Sequence, residues 1–201
     1  MSTKEERRAI KSAMTNTHLS LHHTENCRVL PNRNELLYRI ASNGTAAEIG
    51  AAFGNFSGEI LSRNRPKELH LIDAWAGERY EAGLAKIKEC FPKEIASGRL
   101  KIHRGLSIEK LPEFADGFFD WVYIDTNHSY GTTWKELQIS HSKVKSSGRI
   151  AGHDFCTGNV IDPVPYGVVE AVTKFCKDYH WQFEYLTVES NGHFSFCLMR
   201  I

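Results

Sequence analysis

Apolar and polar residues alternate in blocks from about residue 45 onward, where short apolar runs are separated by longer amphipathic stretches. A near-continuous apolar run such as 118–124 indicates a strand buried on both faces, as in a parallel sheet. Five strands are predicted, at 46–48, 68–73, 100–103, 118–125 and 148–153. Apolar residues at helical spacing predict helices at 31–40, 55–64, 78–91, 130–145 and 166–179, with a brief helix from Ile108. Alternating strands and helices predict an α/β protein.

The end of the chain follows a different pattern. Two strand-like runs, 182–188 and 194–201, flank a segment that contains Asn191-Gly192. An Asn-Gly pair between two such runs is a strong signal for a β-hairpin. Five strand–helix units closed by this antiparallel hairpin predict a seven-stranded, mostly parallel sheet.

The first 30 residues do not share the strand–helix pattern. They are polar and rich in Lys, Arg, Thr and His, and 4–14 is predicted to form a short charged helix. We therefore expect an N-terminal extension over 1–30, helical or partly disordered. A single domain over 31–201 would follow it, opening with a helix for which Asn32 is a candidate cap.

Composition limits the possible classes of protein. Hydrophobic residues make up 41% and charged residues 24% of the 201 residues, which is typical of a globular domain. The formal net charge of +1 gives no general field that attracts nucleic acid. No apolar run approaches the roughly 20 residues that span a bilayer. Five scattered cysteines without a Cys-x-x-Cys pair favour a reducing compartment, so we expect a cytoplasmic protein with no membrane or nucleic-acid partner.

Two glycines follow the first predicted strand, at the place where an open α/β sheet binds its ligands. Glu48 ends the strand, Gly50 and Gly54 form a turn, and Asp73 closes the next strand. Glycines let a ligand approach the main chain, and an acidic residue after the second strand usually holds a ribose diol. The pattern predicts a cofactor that contains adenosine. An ordinary strand–turn–helix with packing glycines is the alternative.

The glycine spacing distinguishes the candidate cofactors. The Gly-x-Gly-x-x-Gly of dinucleotide sites is absent, and so is the Gly-x4-Gly-Lys-Ser/Thr of phosphate loops. A pyrophosphate needs free backbone N–H groups at the start of a helix, whereas Glu48 beside the turn suits a cation. S-adenosylmethionine carries an ammonium, a sulfonium and a ribose diol but no phosphate. It therefore fits this turn best.

Several segments together resemble a known family. The stretch 123–130 reads Tyr-Ile-Asp-Thr-Asn-His-Ser-Tyr, and the stretch 151–155 reads Ala-Gly-His-Asp-Phe. With the turn at 48–54, they resemble the class I S-adenosylmethionine-dependent methyltransferases, and in particular methyltransferase family 24, which includes sugar O-methyltransferases. The resemblance covers about residues 31–201. It implies a Rossmann-like, doubly wound fold.

The resemblance also implies which residues hold the cofactor. Glu48, Gly50 and Gly54 would bind its amino-acid end, and Asp73 would bind its ribose hydroxyls. The other expected contacts are Phe56, Trp75 near the adenosine, Ser107 near the adenine edge, and Asp125. A core aromatic at Trp75 and a helix N-cap at Ser107 are the alternatives.

Two acidic residues, Asp125 and Asp154, lie at the ends of the fourth and fifth predicted strands. Neighbouring strands lie roughly 4.8 Å apart, so the two carboxylates would repel unless a cation or a shared proton lies between them. The resemblance implies Mg²⁺ at such strand ends. His153, however, departs from an all-carboxylate set and admits Mn²⁺, Fe²⁺ or no metal. Asp125, Asp154 and His153 are the expected metal ligands.

Two histidines are candidate general bases, because an imidazole of near-neutral pKa can take a proton from a hydroxyl. His128 and His153, together with Asp125, are the predicted catalytic residues, and a structural hydrogen bond is the alternative role for His128. We expect O-methylation of a small-molecule acceptor, and assembly into a homo-oligomer is left open. The alternatives are a non-catalytic protein that binds the cofactor and, disfavoured by the glycine spacing, an NAD-dependent oxidoreductase.

Overall fold

The strands form one large sheet and one small ribbon. A computed structural model describes residues 2–78, 80–161 and 163–201. The strands are β1 (Arg28–Leu30), β2 (Thr45–Ile49), β3 (Glu68–Asp73), β4 (Leu100–Arg104), β5 (Phe119–Ile124), β6 (Val144–Gly152), β7 (Gly158–Asn159), β8 (Val164–Pro165), β9 (Trp181–Thr187) and β10 (Phe196–Arg200). Eight of them form a single sheet in the order β1-β9-β10-β6-β5-β2-β3-β4, and β7 and β8 form a separate ribbon. The predicted Rossmann-like, mostly parallel sheet and its closing antiparallel hairpin are confirmed.

Helices connect the strands and cover the sheet. They are α1 (Lys4–Ser12), α2 (Arg33–Leu36), α3 (Asn55–Glu59), α4 (Gly83–Cys90), α5 (Pro92–Ala96), α6 (Ser107–Lys110), α7 (Tyr130–Lys143) and α8 (Val168–Tyr179). A π-helical turn at Ile60–Asn64 continues α3, and short 3-10 turns lie at Leu21–His23 and Leu111–Glu113. Within the described residues, no helix combines the length and the hydropathy that a membrane crossing requires.

Successive residues of the central strand β5 point into two different cores. Trp121 and Tyr123 belong to one buried cluster, whereas Val122 and Ile124 belong to the other. Side chains alternate between the two faces of a strand, so a strand that is apolar at every position must be covered on both faces. This is the physical basis of the sequence prediction for 118–125, and it places the sheet between two helical layers.

The sheet has eight strands rather than the predicted seven. The additional strand, β1, runs parallel to β9, with Val29 opposite Leu186. Three residues are too few for an alternating pattern to stand out among polar neighbours, so the sequence does not reveal this strand. The end of the predicted 1–30 extension thus joins the sheet. The division of the chain at residue 30 stays a prediction.

Two of the predicted helices are shorter by more than a turn than their patterns indicate, and the helices predicted at 130–145 and 166–179 are each shorter by two residues. The helix predicted at 31–40 spans only Arg33–Leu36, although Asn32 caps it as predicted by accepting two backbone N–H groups. The helix predicted at 78–91 spans only Gly83–Cys90. The short helix α5, which the pattern does not predict, follows it directly because a proline begins a new helical turn there.

The chain reverses its direction across the sheet at β2. Strands β3 and β4 lie on one side of β2, and β5 and β6 lie on the other. Open α/β sheets bind ligands at the carboxyl ends of the strands at such a point. Backbone hydrogen bonds continue past the strands here: Asp125 N–H donates to the Ile49 carbonyl (2.8 Å), and His153 N–H donates to the Ile124 carbonyl (2.9 Å). The ends of β2, β5 and β6 are therefore held side by side.

Gly50 allows β2 and β5 to approach each other, so we expect Gly50→Ala to destabilise the fold. Gly50 has φ +92°, and an added Cβ would lie 1.9 Å from the carbonyl oxygen of Asp125. Gly98→Ala is the matched control, because Gly98 also has a positive φ (+74°) but its added Cβ would meet nothing within 4 Å.

The left-handed backbone alone costs alanine about 1–2 kcal/mol of unfolding free energy, which is the loss expected for Gly98→Ala. The steric overlap should bring the loss for Gly50→Ala to more than about 3 kcal/mol, measured by urea denaturation. Equal losses in the two variants would contradict the close approach of the two strands.

Candidate functional site

Asp73 links the two loops that follow β2 and β3. One of its carboxylate oxygens accepts the N–H of Ala52 (2.9 Å), and the other accepts the N–H of Trp75 (2.7 Å). Each carboxylate oxygen has a second lone pair, so Asp73 can still accept hydrogen bonds from a ribose diol. The predicted ribose contact stays a prediction. The structure shows that the same side chain also fixes the shape of the glycine turn.

Trp75 and Ser107 have structural roles that the sequence left open. The indole of Trp75 is fully buried, and its N–H donates to the carbonyl of Ala52 (2.8 Å). It is therefore a core aromatic beneath the turn, and its contact with adenosine stays a prediction. Ser107 is the first residue of α6, while Leu106 occupies the N-cap position. The hydroxyl of Ser107 donates to Glu136 rather than capping the helix.

A buried acid and an arginine face each other beside the turn. Glu48 accepts a hydrogen bond from Ser57, and burial, together with the charge of Asp125, raises the pKa of Glu48 to about 8. The guanidinium of Arg33 lies 4.4 Å from the ring centre of Phe56. Its Nη1 lies 3.4 Å from Oδ2 of Asp125. Glu48, Phe56 and Asp125, all expected cofactor contacts, thus surround one cationic group.

His128 lies between the two carboxylates that were expected to repel each other. Its Nε2 is 2.7 Å from Oδ2 of Asp154 and 3.4 Å from Oδ1 of Asp125. Burial disfavours the imidazolium, but the hydrogen bonds and charges of the two acids outweigh it and raise the pKa of His128 to about 9. The other oxygen of Asp154 is paired with Nδ1 of His193. Despite burial, these histidines hold the pKa of Asp154 at about 2.

His153 has a different environment from His128. Its Nδ1 lies 3.0 Å from the hydroxyl of Ser195, and that hydroxyl lies 2.9 Å from the hydroxyl of Tyr123. Burial lowers the pKa of His153. The two candidate bases are therefore distinct: carboxylates favour the imidazolium of His128, whereas burial favours the neutral imidazole of His153.

The structure groups the possible metal ligands differently from the expected set, which stays a prediction. Among the described residues, two groups place their donor atoms within 4.8 Å of one another: Asp125–His128–Asp154 and Asp154–Cys156–His193. His153 belongs to neither, because its imidazole turns toward Ser195. In the first group the imidazole of His128 already lies between the two carboxylates. Mg²⁺, which prefers oxygen ligands, does not fit that group.

Three residues of the site were not identified from the sequence. Arg33 lies in the helix before β2 and reaches the site only through the fold. His193 lies in the loop between β9 and β10 and contacts Asp154. Glu136 is fully buried, accepts the hydroxyls of Ser107 and Thr126, and has its pKa raised to about 7 by burial.

A sequence signal does exist for Glu136. It shares the buried stripe of α7 with Thr133, Leu137 and Ser140, whose spacing of three and four residues marks one face of a helix. An acid on that face must be buried when the helix packs. It therefore signals a polar network, here between the loops that follow β4 and β5.

Known proteins share this fold. A precorrin-6y C5,15-methyltransferase from Geobacter metallireducens GS-15 has a TM-score of 0.61 at 16% identity, over 84% of this chain and 85% of its own. A SAM-dependent methyltransferase from Aquifex aeolicus has a TM-score of 0.61 at 14% identity, over 84% and 89%. An O-methyltransferase family protein from Burkholderia thailandensis has a TM-score of 0.61 at 10% identity, over 84% and 55%. At these identities the likeness shows the shared fold.

The sequence itself identifies the family. No protein of curated function matches the chain in sequence. The pattern of a methyltransferase domain, that of methyltransferase family 24, matches residues 47–155. The matched segment covers more than half of the chain, and it runs from the glycine turn through Asp73 and Asp125 to Asp154. The chain therefore belongs to this methyltransferase domain family and is a class I S-adenosylmethionine-dependent methyltransferase.

Proposed function

We propose that the protein transfers the methyl group of S-adenosylmethionine to a hydroxyl oxygen of a small molecule. The observation that carries this proposal is the cluster of His128, His153, Asp125 and Asp154 at the carboxyl ends of β5 and β6, beside the glycine turn. An oxygen that gains a methyl group must lose its proton, and this cluster supplies both a proton acceptor and charges that orient it. An amine in its free-base form is already nucleophilic, so its methylation depends less on a proton acceptor.

The cofactor would be bound by groups already gathered around the turn. Glu48 and Asp125 would face its ammonium, and Asp73 would accept its ribose hydroxyls. Arg33, which lies against Phe56 and Asp125, would pair with its carboxylate. Arginine suits this role because its planar guanidinium donates two parallel hydrogen bonds to a carboxylate.

The two histidines would divide the work at the acceptor. A pair of titratable groups whose environments differ this much usually has separate roles. His153, whose Nδ1 is hydrogen-bonded to a neutral hydroxyl, would take the acceptor proton on its other ring nitrogen. The methyl group passes to the acceptor oxygen as the sulfonium becomes a neutral thioether. His128 would keep Asp125 and Asp154 in place and offer positive charge to the oxygen as it loses its proton.

The family membership excludes one of the alternatives that the sequence left open. Membership of the methyltransferase family sets aside the NAD-dependent oxidoreductase. Metal assistance stays a prediction, and the proton transfer to His153 does not require a metal. The small-molecule acceptor, the absence of nucleic-acid and membrane partners, the cytoplasmic location and homo-oligomer formation also remain proposals.

The acceptor class can be tested with matched compounds. Formation of S-adenosylhomocysteine would be measured with catechols, phenols and sugars, with their amine counterparts, and with a structured RNA. We expect turnover with hydroxylated compounds, because only these need the proton acceptor at the ends of β5 and β6. Preferred methylation of the amines or of the RNA would contradict the proposal.

The raised pKa of Glu48 predicts proton release when the cofactor binds. A carboxyl of pKa about 8 is mostly protonated at pH 7, and an ammonium placed beside it favours the ionised form, so the proton leaves. Calorimetry at pH 7 in two buffers of different ionisation enthalpy should show about one proton more released by the wild type than by Glu48→Gln. The difference should vanish by about pH 9, where the carboxyl is already ionised.

The comparison with Glu48→Gln separates this proton from those of the cofactor's own amine. Glu89→Gln is the control, since Glu89 is exposed on α4, and it should release protons as the wild type does. Glu48→Gln should also bind the cofactor at least about tenfold more weakly. Equal proton release in Glu48→Gln and wild type would show that Glu48 does not face the ammonium.

Substitution of the two histidines should give different kinetic changes. We expect His153→Gln to lower kcat by about 100-fold or more with little change in the KM for the cofactor, because only the proton acceptor is lost. His128→Gln removes the positive charge between Asp125 and Asp154 and should change both kcat and that KM. Steady-state kinetics would measure both, with the exposed His18→Gln as control. Retention of wild-type kcat by folded His153→Gln would refute its role as base.

A further inference from the structure

A second donor group lies on the side of Asp154 that faces away from His128. It consists of Oδ1 of Asp154, Sγ of Cys156 and Nδ1 of His193, all within 4.8 Å of one another. Sγ of Cys156 is 3.8 Å from Nδ1 of His193. Asp154 is buried, while Cys156 and His193 are half-buried. The group is thus partly accessible to solvent.

The backbone brings these three residues together from two loops. Asp154 and Cys156 follow β6, and His193 lies in the hairpin between β9 and β10. The N–H of Phe155 donates to the carbonyl of Phe194 (2.9 Å), which joins the two loops immediately beside the donor group. The arrangement is therefore part of the fold and not a chance meeting of exposed side chains.

The three groups do not form a nucleophilic triad. In a Cys–His–acid relay, the thiol and the carboxylate contact different nitrogens of the imidazole, so that a proton can pass through the ring. Here both Cys156 and Asp154 approach the same nitrogen, Nδ1 of His193. A nitrogen, an oxygen and a sulfur that lie this close together are instead arranged like ligands of one metal ion.

We propose that Asp154, Cys156 and His193 bind a divalent transition-metal ion of the zinc type. A thiolate, an imidazole and a carboxylate are the ligands of Zn²⁺ and Co²⁺, whereas Mg²⁺ and Ca²⁺ take oxygen. Bonds of about 2.0–2.3 Å place tetrahedral donors about 3.5 Å apart, close to the separation between Cys156 and His193. Three protein ligands leave a fourth position open, as in catalytic zinc sites.

The two oxygens of Asp154 would then have different partners. Oδ1 would exchange its hydrogen bond to His193 for the metal ion, and Oδ2 would keep its hydrogen bond to His128. The existence of the site is independent of the proposed function, but its role rests on it. An acceptor hydroxyl bound at the open position would lose its proton more readily, since a Lewis acid lowers the pKa of a bound hydroxyl.

Cobalt titration of the metal-free full chain tests the site without an activity assay. We expect one Co²⁺ to bind per chain, with visible bands of a tetrahedral ion and a near-ultraviolet band of sulfur-to-cobalt charge transfer. Zn²⁺ should displace the Co²⁺ and abolish both sets of bands, whereas a large excess of Mg²⁺ should leave them unchanged. Absence of Co²⁺ binding, or displacement by Mg²⁺, would overturn the proposal.

Variants assign the ligands. Cys156→Ser should lose the charge-transfer band and bind Co²⁺ at least about tenfold more weakly, and His193→Gln should weaken binding while keeping the band. Cys90→Ser is the control, because Cys90 is exposed at the end of α4, and it should match the wild type. A charge-transfer band that persists in Cys156→Ser would also overturn the proposal. Circular dichroism would confirm that each variant is folded. If Cys156→Ser does not fold, the loss of Co²⁺ affinity in His193→Gln decides whether the metal site exists, and unchanged affinity would overturn the proposal.

The outcomes separate this inference from the proposed function. If Co²⁺ does not bind but hydroxylated acceptors are methylated, only the metal site is wrong. If the cobalt spectrum appears as expected but hydroxylated acceptors are not methylated, the site stands and the proposed acceptor class is wrong.

Discussion

The close approach of β2 and β5 at Gly50 is the constraint on which the site depends. No side chain fits between Gly50 and the carbonyl of Asp125, so the two strand ends meet directly. This contact occurs where the chain reverses its direction across the sheet. It therefore brings Glu48 from one half of the fold into the same space as Asp125 from the other half. A larger residue at position 50 would push the end of β2 away from the end of β5.

Bringing acids together inside a protein creates an electrostatic problem, and the structure solves it in two ways. Glu48 is the more buried acid, and its raised pKa leaves it largely uncharged near neutral pH. Asp154 remains charged because His128 and His193 pair with its two oxygens. A protonated carboxyl needs no charged partner, and it loses its proton when a cation binds beside it. Neutralisation by imidazoles fixes the carboxylate in one orientation. The first suits a group that must respond to a cofactor, and the second suits a group that must hold its neighbours still.

The sequence predicted those parts of the fold that depend on local pattern. The strand at 68–73 agrees to the residue, because burial on both faces of a strand produces a near-continuous apolar run. The three-residue strand β1 was not predicted, because its pairing with β9 is decided by contacts distant in the chain.

The same distinction holds for the site. Glu48, Asp73, Asp125 and Asp154 stand at strand ends, where topology alone places them together. Arg33 and His193 reach the site from a helix and a hairpin loop that carry no motif. The sequence pattern also does not predict the direction in which a side chain points. His153 and Asp154 are adjacent in sequence, yet one turns to Ser195 and the other lies between two histidines.

The backbone at this edge of the sheet shows that the loops are held in place by their own hydrogen bonds. Seven of the described non-glycine residues have positive φ, and four of them, Ala52, Trp75, His128 and Asp154, lie in the loops after β2, β3, β5 and β6. Such a conformation costs about 1 kcal/mol or more per residue and persists only where the surroundings determine it.

Each of the four is fixed by a hydrogen bond within the site. Asp73 accepts the N–H groups of Ala52 and Trp75, and the side chains of His128 and Asp154 hold each other. Asp73 and Asp154 therefore also have a structural role, since they keep the loops in the conformation that a ligand would contact. A site whose loops are already ordered loses less conformational entropy on binding. These four strained residues therefore lie at the edge of the sheet where open α/β sheets bind their ligands.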